Sequence, residues 1–269
     1  MLTVALLLLL QETPIELPLP PGVDTAKPFA VVRADDGKEI PAQGTGTSIV
    51  LLARPEAAEY RIVERRPAPF ARVEWTDENG AMVASIGGKK LLRYNRDLVP
   101  QPDPVFSRSG YLHPVWSPSG RVVTSDSPPN HLHHHGIWSA WTSSEFEGRK
   151  SNFWESKEQQ GRVECVKVED VSSGPVYGGL RARHRFVNLN APGGPKVALE
   201  ELWELRIYAL TDRYVFDLVS TQTAATDHPV LIKEYRYGGI GFRGPSDWEG
   251  KTGVDFLTSE GKNRIEGHA

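Results

Sequence analysis

Histidine and tryptophan are concentrated in one short stretch of this sequence. Five of the eight histidines and four of the seven tryptophans fall within residues 111–154. Imidazole titrates at about pH 6.5, so such histidines can move protons on a sugar hydroxyl or ring oxygen. Tryptophan rings offer flat apolar faces against which a pyranose ring stacks. The stretch therefore predicts a site for acid/base chemistry, although core packing is the alternative for each tryptophan taken singly.

The candidate site residues come from this stretch and from a glycine-rich one further along the chain. We predict three acid/base residues, which are His133, His134 and His113. Residues 235–243 (YRYGGIGFR) lack the spacing of a phosphate loop, and their glycines permit a bulge or a close backbone approach. Charged residues beside those glycines are then left to face a ligand. The predicted substrate-binding residues are Tyr111, His131, Trp138, Trp154, Glu234 and Arg243.

A divalent metal is the alternative use of the same histidines. If residues 131–135 are extended, His131, His133 and His135 point to one face about 7 Å apart, and His134 points to the other. Their imidazoles reach a single ion only where the chain bends. The segment also lacks the carboxylate spacing of a cupin, and the sequence has no His-Glu-x-x-His motif. We therefore predict no cofactor and no tightly held stoichiometric metal.

Composition excludes several classes of function. The net charge of −3 comes from interspersed acidic and basic residues, unlike the basic surface of a nucleic-acid-binding protein. Cys165 is the single cysteine, which excludes an intrachain disulfide and any Cys-x-x-Cys motif. It lies in an alternating run that predicts a small buried side chain. The partner that we expect is a small molecule or an oligosaccharide.

The N-terminal residues predict export. Residues 2–10 (LTVALLLLL) are apolar but far shorter than the ~20 residues that span a membrane. Their length and position are typical of the apolar core of a signal peptide, so we expect a secreted or periplasmic protein. A misassigned start or a buried first strand is the alternative. The Pro-rich residues that follow predict an extended linker that reaches residue 25.

The rest of the sequence alternates in the manner of antiparallel strands. Residues 26–66 predict a small β module, and residues 67–269 predict a main antiparallel β-sandwich. In residues 179–189, apolar side chains and His184 share one face while arginines share the other, so we expect a core histidine and a solvated row of arginines. Glu201 interrupts a similar apolar face. Because the sequence ends without a terminal strand, we expect further C-terminal sequence.

Several motifs resemble those of the PmoA family of bacterial proteins. The family pattern at the histidine cluster is Asp-His-Pro-His-His-Arg-Gly, from which this sequence departs at Asn130, Leu132 and His135. The resemblance implies a β-sandwich like that of sugar mutarotases, and a role in carbohydrate use. It covers residues 91–269 and rests on Tyr94-Asn95 and on residues 109–114 (SGYLHP), 131–136 (HLHHHG), 152–154 (NFW) and 237–239 (YGG).

Two functional hypotheses follow from these observations. The first is an exported carbohydrate-active enzyme without a redox cofactor, an isomerase, lyase or hydrolase in which His133 or His134 acts as acid/base. The second is a non-catalytic sugar-binding or cell-surface interaction protein whose aromatic rings form a stacking platform. Both hypotheses predict sugar binding, so turnover in variants of the two histidines is what distinguishes them.

Overall fold

Nearly all the regular structure of the protein is β-strand. The computed structural model describes residues 12–54, 59–248, 257–263 and 266. Strands make up 49% of it, and the described residues contain no α-helix, so the predicted all-β antiparallel sandwich is confirmed. Accordingly, none of the described segments is a helix long and apolar enough to cross a membrane. Single-turn 3-10 helices lie at Pro104–Phe106, Ser156–Glu158 and Ser246–Trp248.

The predicted signal peptide core, residues 2–10, lies outside the described residues. Export therefore stays a prediction.

The N-terminal part of the described chain is a small β module. Its strands form two three-stranded sheets, ordered β1-β5-β4 and β3-β2-β6, in which the strands are β1 (Thr13–Pro18), β2 (Ala30–Arg33), β3 (Glu39–Ile40), β4 (Ala42–Gly44), β5 (Ser48–Ala53) and β6 (Tyr60–Val63). β1 lies within the predicted linker. Ile15 and Leu17 of β1 pair with Leu51 and Ile49 of β5. Such cross-strand apolar pairs stabilise a sheet, which explains why these residues form a strand instead of a linker.

The main domain contains two larger sheets and one small sheet. Its described strands are β7 (Val73–Asp77), β8 (Ala81–Ile86), β9 (Lys89–Asn95), β10 (Tyr111–Val115), β11 (Ile137–Ala140), β12 (Ser144–Phe146), β13 (Arg149–Ser151), β14 (Gly161–Ser172), β15 (Tyr177–Asn188), β16 (Lys196–Tyr208), β17 (Phe216–Ala224), β18 (Leu231–Ile232) and β19 (Gly239–Phe242). The sheet orders are β19-β11-β10-β9-β8-β7, β14-β15-β16-β17 and β13-β12-β18. Their strand pairings are antiparallel.

The two larger sheets pack face to face around the main hydrophobic core. Leu92 and Leu112 from the six-stranded sheet lie in one buried cluster with Leu180, Trp203 and Leu205 from the four-stranded sheet. Alternate residues of a strand point to opposite faces, so one apolar face per sheet is enough to build such a core. The outer face of β15 carries the predicted row of arginines, which form ion pairs with glutamates at the surface.

Two polar side chains face each other across the buried side of β15 and β16. His184 and Glu201 are register partners, and Nδ1 of His184 lies 2.9 Å from Oε2 of Glu201. Nε2 of His184 lies 2.7 Å from the hydroxyl of Tyr94, and that hydroxyl lies 3.1 Å from Sγ of Cys165. The prediction that His184 is a core histidine with satisfied hydrogen bonds is confirmed. Cys165 is only partly buried.

Candidate functional site

The histidine-rich segment is a tight hairpin, and the alternative that it is an extended strand is wrong. Backbone hydrogen bonds of 2.8 Å join residues 125–127 to residues 134–136. At the tip, the amide of His131 donates to the carbonyl of Pro128 at 2.8 Å, and the amide of His134 donates to the carbonyl of His131 at 3.0 Å. Proline fixes its own φ and favours turns, which explains why the chain reverses here.

The hairpin tip gathers three imidazoles, those of His131, His133 and His134, which we call the outer histidine group. The ring of His134 is stacked on that of His131 with centroids 4.7 Å apart, and it meets the ring of His133 edge-on at 4.6 Å. The prediction for a flat strand put His135 on the same face as His131 and His133, and put His134 on the opposite face. In the hairpin the two residues change places: His134 joins the group, and His135 points into the core and is 1% exposed.

Two tryptophans form the floor beneath the outer histidine group. The ring of His134 lies 5.0 Å from Trp138 and 5.9 Å from Trp154, and the two indoles are 4.7 Å apart. Trp138 is 1% exposed and Trp154 is 7% exposed, so neither presents an open face to a sugar. This corrects the prediction that they bind substrate directly. The open ring of this cluster is Tyr237, which packs on Trp154 at 5.4 Å and is 41% exposed.

The glycine-rich strand β19 lies directly against this floor. A Cβ atom at Gly241 would lie 2.8 Å from ring atoms of both Trp138 and Trp154. The predicted close approach of the glycine-rich backbone is therefore confirmed at Gly241.

His133 contacts a carboxylate that sequence reasoning did not select. Its Nδ1 lies 2.9 Å from Oε2 of Glu155, and the two side chains are 17% and 30% exposed. The other carboxylate oxygen of Glu155 accepts from the amide of Lys157 at 3.2 Å, and the amide of Glu155 donates to Oδ1 of Asn152 at 3.0 Å. An accessible imidazole beside an anchored carboxylate has the composition of a general acid/base pair.

The electrostatic surroundings keep two of these imidazoles neutral. The pKa of His134 is lowered to about 3, chiefly by burial and in addition by the nearby His133, His131 and Arg243. Burial also lowers the pKa of His133, although the negative charge of Glu155 opposes that change. At neutral pH both imidazoles are therefore uncharged and able to accept a proton.

Behind the outer histidine group, the part-buried Asp126 and the buried His135 form what we call the inner pair. Nδ1 of His135 donates to Oδ1 of Asp126 at 2.7 Å, and the hydroxyl of Tyr111 donates to Oδ2 at 2.8 Å. Burial raises the pKa of Asp126, but the hydrogen bonds from His135 and Tyr111 outweigh it, so the pKa is lowered overall. Burial lowers the pKa of His135. The inner pair is thus a carboxylate and a neutral imidazole.

Two predicted site residues belong to the surroundings of the inner pair. Tyr111 is completely buried, so it acts by anchoring Asp126 and does not touch a ligand, contrary to the prediction. Nδ1 of His113 lies 2.9 Å from the hydroxyl of Thr124. The negative charge of Asp126 also acts on the ring of His113, so His113 lies beside the inner pair.

The two charged residues predicted near β19 differ in their placement. The backbone amide of Arg243 donates to the carbonyl of Gly136 at 2.7 Å, and its Nη2 donates to Oδ1 of Asn130 at 3.1 Å. These bonds hold the guanidinium beside the hairpin tip. Glu234 is exposed in the connection between β18 and β19. The contacts of the described residues do not bring Glu234 to the outer histidine group.

A buried arginine interacts electrostatically with two carboxylates, that of the buried Glu201 and that of the part-buried Asp126. Arg108 is buried, and its Nη2 donates to the carbonyl of Ser139 at 2.8 Å. Burial lowers its pKa to about 10, and the negative charges of Glu201 and Asp126 oppose that change. Arg108 is therefore still a cation at neutral pH. It compensates both carboxylates within the low-dielectric core, where an uncompensated charge is costly.

Within the described residues, no three His, Cys, Asp or Glu side chains are arranged to hold a metal ion. The prediction that the protein holds no stoichiometric metal stays a prediction, and elemental analysis after exhaustive dialysis tests it.

Gly136 permits the hairpin to lie against β10. Its φ is 51°, and a Cβ atom there would lie 2.1 Å from the carbonyl oxygen of Leu112. We expect Gly136→Ala to lower the free energy of unfolding by about 2–4 kcal/mol, since left-handed strain is combined with a backbone clash. Urea unfolding measures the loss. Gly120→Ala is the matched control, because Gly120 has a φ of 85° with nothing within 4 Å, and equal losses would contradict this account.

The outer histidine group is expected to make the fold sensitive to mild acid. The pKa of His134 falls from 6.5 to about 3 on folding, so below pH 6.5 the unfolded chain binds a proton that the folded chain does not. The contribution of His134 to stability is thus complete above pH 6.5 and is lost as the pH falls toward 3. Each such histidine lowers the free energy of unfolding by up to about 1.4 kcal/mol for every unit by which the pH falls.

Urea unfolding at a series of pH values tests this expectation. His134→Gln should flatten the dependence of the free energy of unfolding on pH below neutrality, because glutamine does not titrate. His228→Gln, at an exposed loop position, should leave the dependence unchanged. A wild-type protein whose stability stays constant down to the carboxylate range, about pH 4, would contradict the expectation.

Comparison with known proteins places the chain in a family. The chain matches the family of unknown function DUF6807 over residues 81–269, more than half of its length. No curated protein and no solved structure matches it. The resemblance to the PmoA family was wrong, because DUF6807 is the family found and no match to the PmoA family accompanies it. The matched region begins at β8 and includes the histidine hairpin, the inner pair and the tryptophan floor. Because the match covers more than half of the chain, the chain belongs to the DUF6807 family.

Proposed function

We propose that the protein is an exported carbohydrate-processing enzyme that carries out acid/base chemistry on a sugar. The observation that carries this proposal is the contact between His133 and Glu155, 2.9 Å apart and both partly exposed. An imidazole that is neutral at neutral pH removes a proton from a sugar hydroxyl or an acidic carbon, and the carboxylate stabilises the imidazolium that forms. The same pair then returns the proton to the product.

The neighbouring residues support distinct parts of this reaction. His134 has a pKa of about 3, so it stays neutral while His133 cycles between its two protonation states. A neutral ring in that place serves as a hydrogen-bonding partner for the sugar. Asp126 and His135 anchor the base of the hairpin, which keeps the outer histidine group in place. Export rests on the apolar residues 2–10 alone.

A non-catalytic sugar-binding protein is the second candidate. The rings of Tyr235 and Tyr237 lie 4.9 Å apart, nearly perpendicular, and both are exposed at the edge of the tryptophan floor. Exposed aromatic rings of this kind bind sugars by stacking without any chemistry.

A glycan panel with product detection by mass spectrometry separates the two candidates. We expect the purified protein to convert at least one carbohydrate of the panel, and elemental analysis of the same sample records any metal. Binding without conversion would favour the sugar-binding candidate. A protein that neither binds nor converts any carbohydrate would contradict both.

A further inference from the structure

Asn152 is buried directly after β13, at the start of the turn that leads to Glu155. It is 4% exposed. Its Oδ1 accepts a hydrogen bond from the amide of Trp154 at 3.1 Å and another from the amide of Glu155 at 3.0 Å. Asparagine side chains accept from backbone amides a few residues ahead, and such bonds fix the turn that they span. Asn152 therefore fixes the backbone from which the side chains of Trp154 and Glu155 project.

Both of those side chains contact the outer histidine group. The ring of Trp154 lies 5.9 Å from that of His134, and Oε2 of Glu155 lies 2.9 Å from Nδ1 of His133. One carboxamide oxygen thus determines where a ring of the floor and the carboxylate of the pair begin. Because Asn152 itself is buried, it acts through these two residues and does not touch a ligand.

The side chain of Glu155 is held at a second point. Glu155 is the N-cap of the 3-10 helix Ser156–Glu158, and its Oε1 accepts from the amide of Lys157 at 3.2 Å. With its backbone bonded to Asn152 and one carboxylate oxygen bonded to Lys157, the other oxygen is directed at His133. The geometry of the pair therefore depends on the turn that precedes it.

We propose that Asn152 is a positioning residue, whose carboxamide oxygen keeps the carboxylate of Glu155 against the imidazole of His133. The inference rests on the proposed function and adds a residue that acts through the proposed pair. Asparagine supplies the acceptor oxygen without a charge. An aspartate would supply the same acceptor and add a second negative charge near Glu155.

The proton affinity of His133 reports on this positioning. Burial lowers the pKa of His133, the negative charge of Glu155 raises it, and His131 and Arg243 lower it. Glu155 is the member of this set that Asn152 holds, so a carboxylate released by the loss of Asn152 lowers the pKa of His133. The titratable and charged groups around His133 are Glu155, His131, His134 and Arg243.

NMR titration of histidine-labelled full chain measures this pKa directly, with the resonances of His133 identified by their loss in His133→Gln. We expect Asn152→Ala to lower the pKa of His133 by about 0.5, since the carboxylate is no longer held beside the ring. Asn152→Ser offers a weaker acceptor and should give a smaller decrease. Asn152→Asp keeps an acceptor and adds a negative charge, so the pKa should equal or exceed that of the wild type.

Gln43→Ala is the matched control for a merely structural role. Oε1 of Gln43 accepts from the amides of Val176 at 3.4 Å and Tyr177 at 3.3 Å, so this variant also removes an amide oxygen that serves two backbone N–H groups. Urea unfolding should show a loss of stability in both Gln43→Ala and Asn152→Ala. The pKa of His133 should change only in Asn152→Ala.

Two results of the titration would overturn the inference. One is a folded Asn152→Ala protein in which His133 keeps its wild-type pKa, and the other is an equal decrease in Gln43→Ala. If Asn152→Ala does not fold, Asn152→Ser and Asn152→Asp decide. A pKa of His133 that is as high in Asn152→Ser as in Asn152→Asp would then overturn the inference.

The titration needs no substrate, so its outcome is separate from that of the proposed function. The expected order of pKa values without conversion of any carbohydrate supports the positioning and refutes carbohydrate processing. Conversion by the wild type with a pKa of His133 that does not respond to Asn152 overturns the inference and leaves the proposed function standing. On a carbohydrate that is converted, Asn152→Ala should lower kcat with KM nearly unchanged, because Asn152 does not contact the ligand.

Discussion

Replacing His133 by alanine is expected to lower kcat by about 10²–10⁴-fold on the carbohydrate that the protein converts, because general acid/base catalysis contributes that much. The dissociation constant for the sugar should change little, since the other imidazoles and Tyr237 remain. Single-turnover kinetics and isothermal titration measure the two quantities separately. The readout is therefore a loss of turnover at nearly constant affinity.

Two further variants show whether the effect belongs to the proposed pair. Glu155→Gln keeps the shape of the side chain but removes its charge, so it should lower kcat by a smaller factor than His133→Ala. His228→Ala removes an exposed histidine from a loop and should leave kcat unchanged. If His133→Ala weakens sugar binding and the wild-type protein shows no turnover, the sugar-binding candidate is favoured instead.

Replacing Glu201 by alanine is expected to lower the free energy of unfolding by about 3–5 kcal/mol, because it removes a buried carboxylate that helps to compensate the buried cation Arg108. The carboxylate accepts hydrogen bonds from His184 at 2.9 Å, Ser220 at 2.6 Å and Gln222 at 2.9 Å, so one buried and two part-buried donors lose their acceptor. Removal of the Glu201 carboxylate also leaves Asp126 as the remaining carboxylate that compensates the charge of Arg108.

Urea unfolding with a matched control on the same strand measures this effect. Glu204→Ala removes a half-exposed carboxylate that lies 3.6 Å from Arg181, and such surface pairs contribute about 0–1 kcal/mol. Burial raises the pKa of Glu201, but its hydrogen bonds lower it to about 2, compared with 4.5 for the free group. The difference between wild type and Glu201→Ala should therefore be complete above pH 4.5 and shrink toward pH 2. Equal losses for both variants would show that the buried carboxylate of Glu201 contributes no more to stability than a surface one.

The fold could be predicted from the sequence because its signal is local. Period-two alternation assigns each residue of a strand to one face, so an apolar face on β15 and β16 identified an antiparallel sandwich. The polar residues that interrupt those apolar faces also indicated a contact within the core. His184 and Glu201 each interrupt an apolar face, and the register makes them partners. The strand β1 was missed because prolines at its ends indicated a linker.

The candidate site was only partly predictable because its partners are distant in the sequence. The cluster of histidines indicated the segment, but the assignment of faces assumed a flat strand and the segment is a hairpin. Glu155 lies 22 positions after His133, and Asp126 lies within a turn-rich stretch. Arg108 interacts electrostatically with Asp126 and Glu201 only in the folded chain. Such interactions depend on tertiary packing, which the spacing of residues along the sequence does not predict.

The pH dependence of kcat/KM in the wild type and in Glu155→Gln tests the central claim most directly. If His133 is the base, activity falls on the acidic side with a midpoint below 6.5, because burial lowers its pKa. Glu155 opposes that lowering, so Glu155→Gln should move the midpoint to still lower pH. An acidic midpoint that does not move, or that moves to higher pH, would show that His133 and Glu155 are not the pair that transfers the proton.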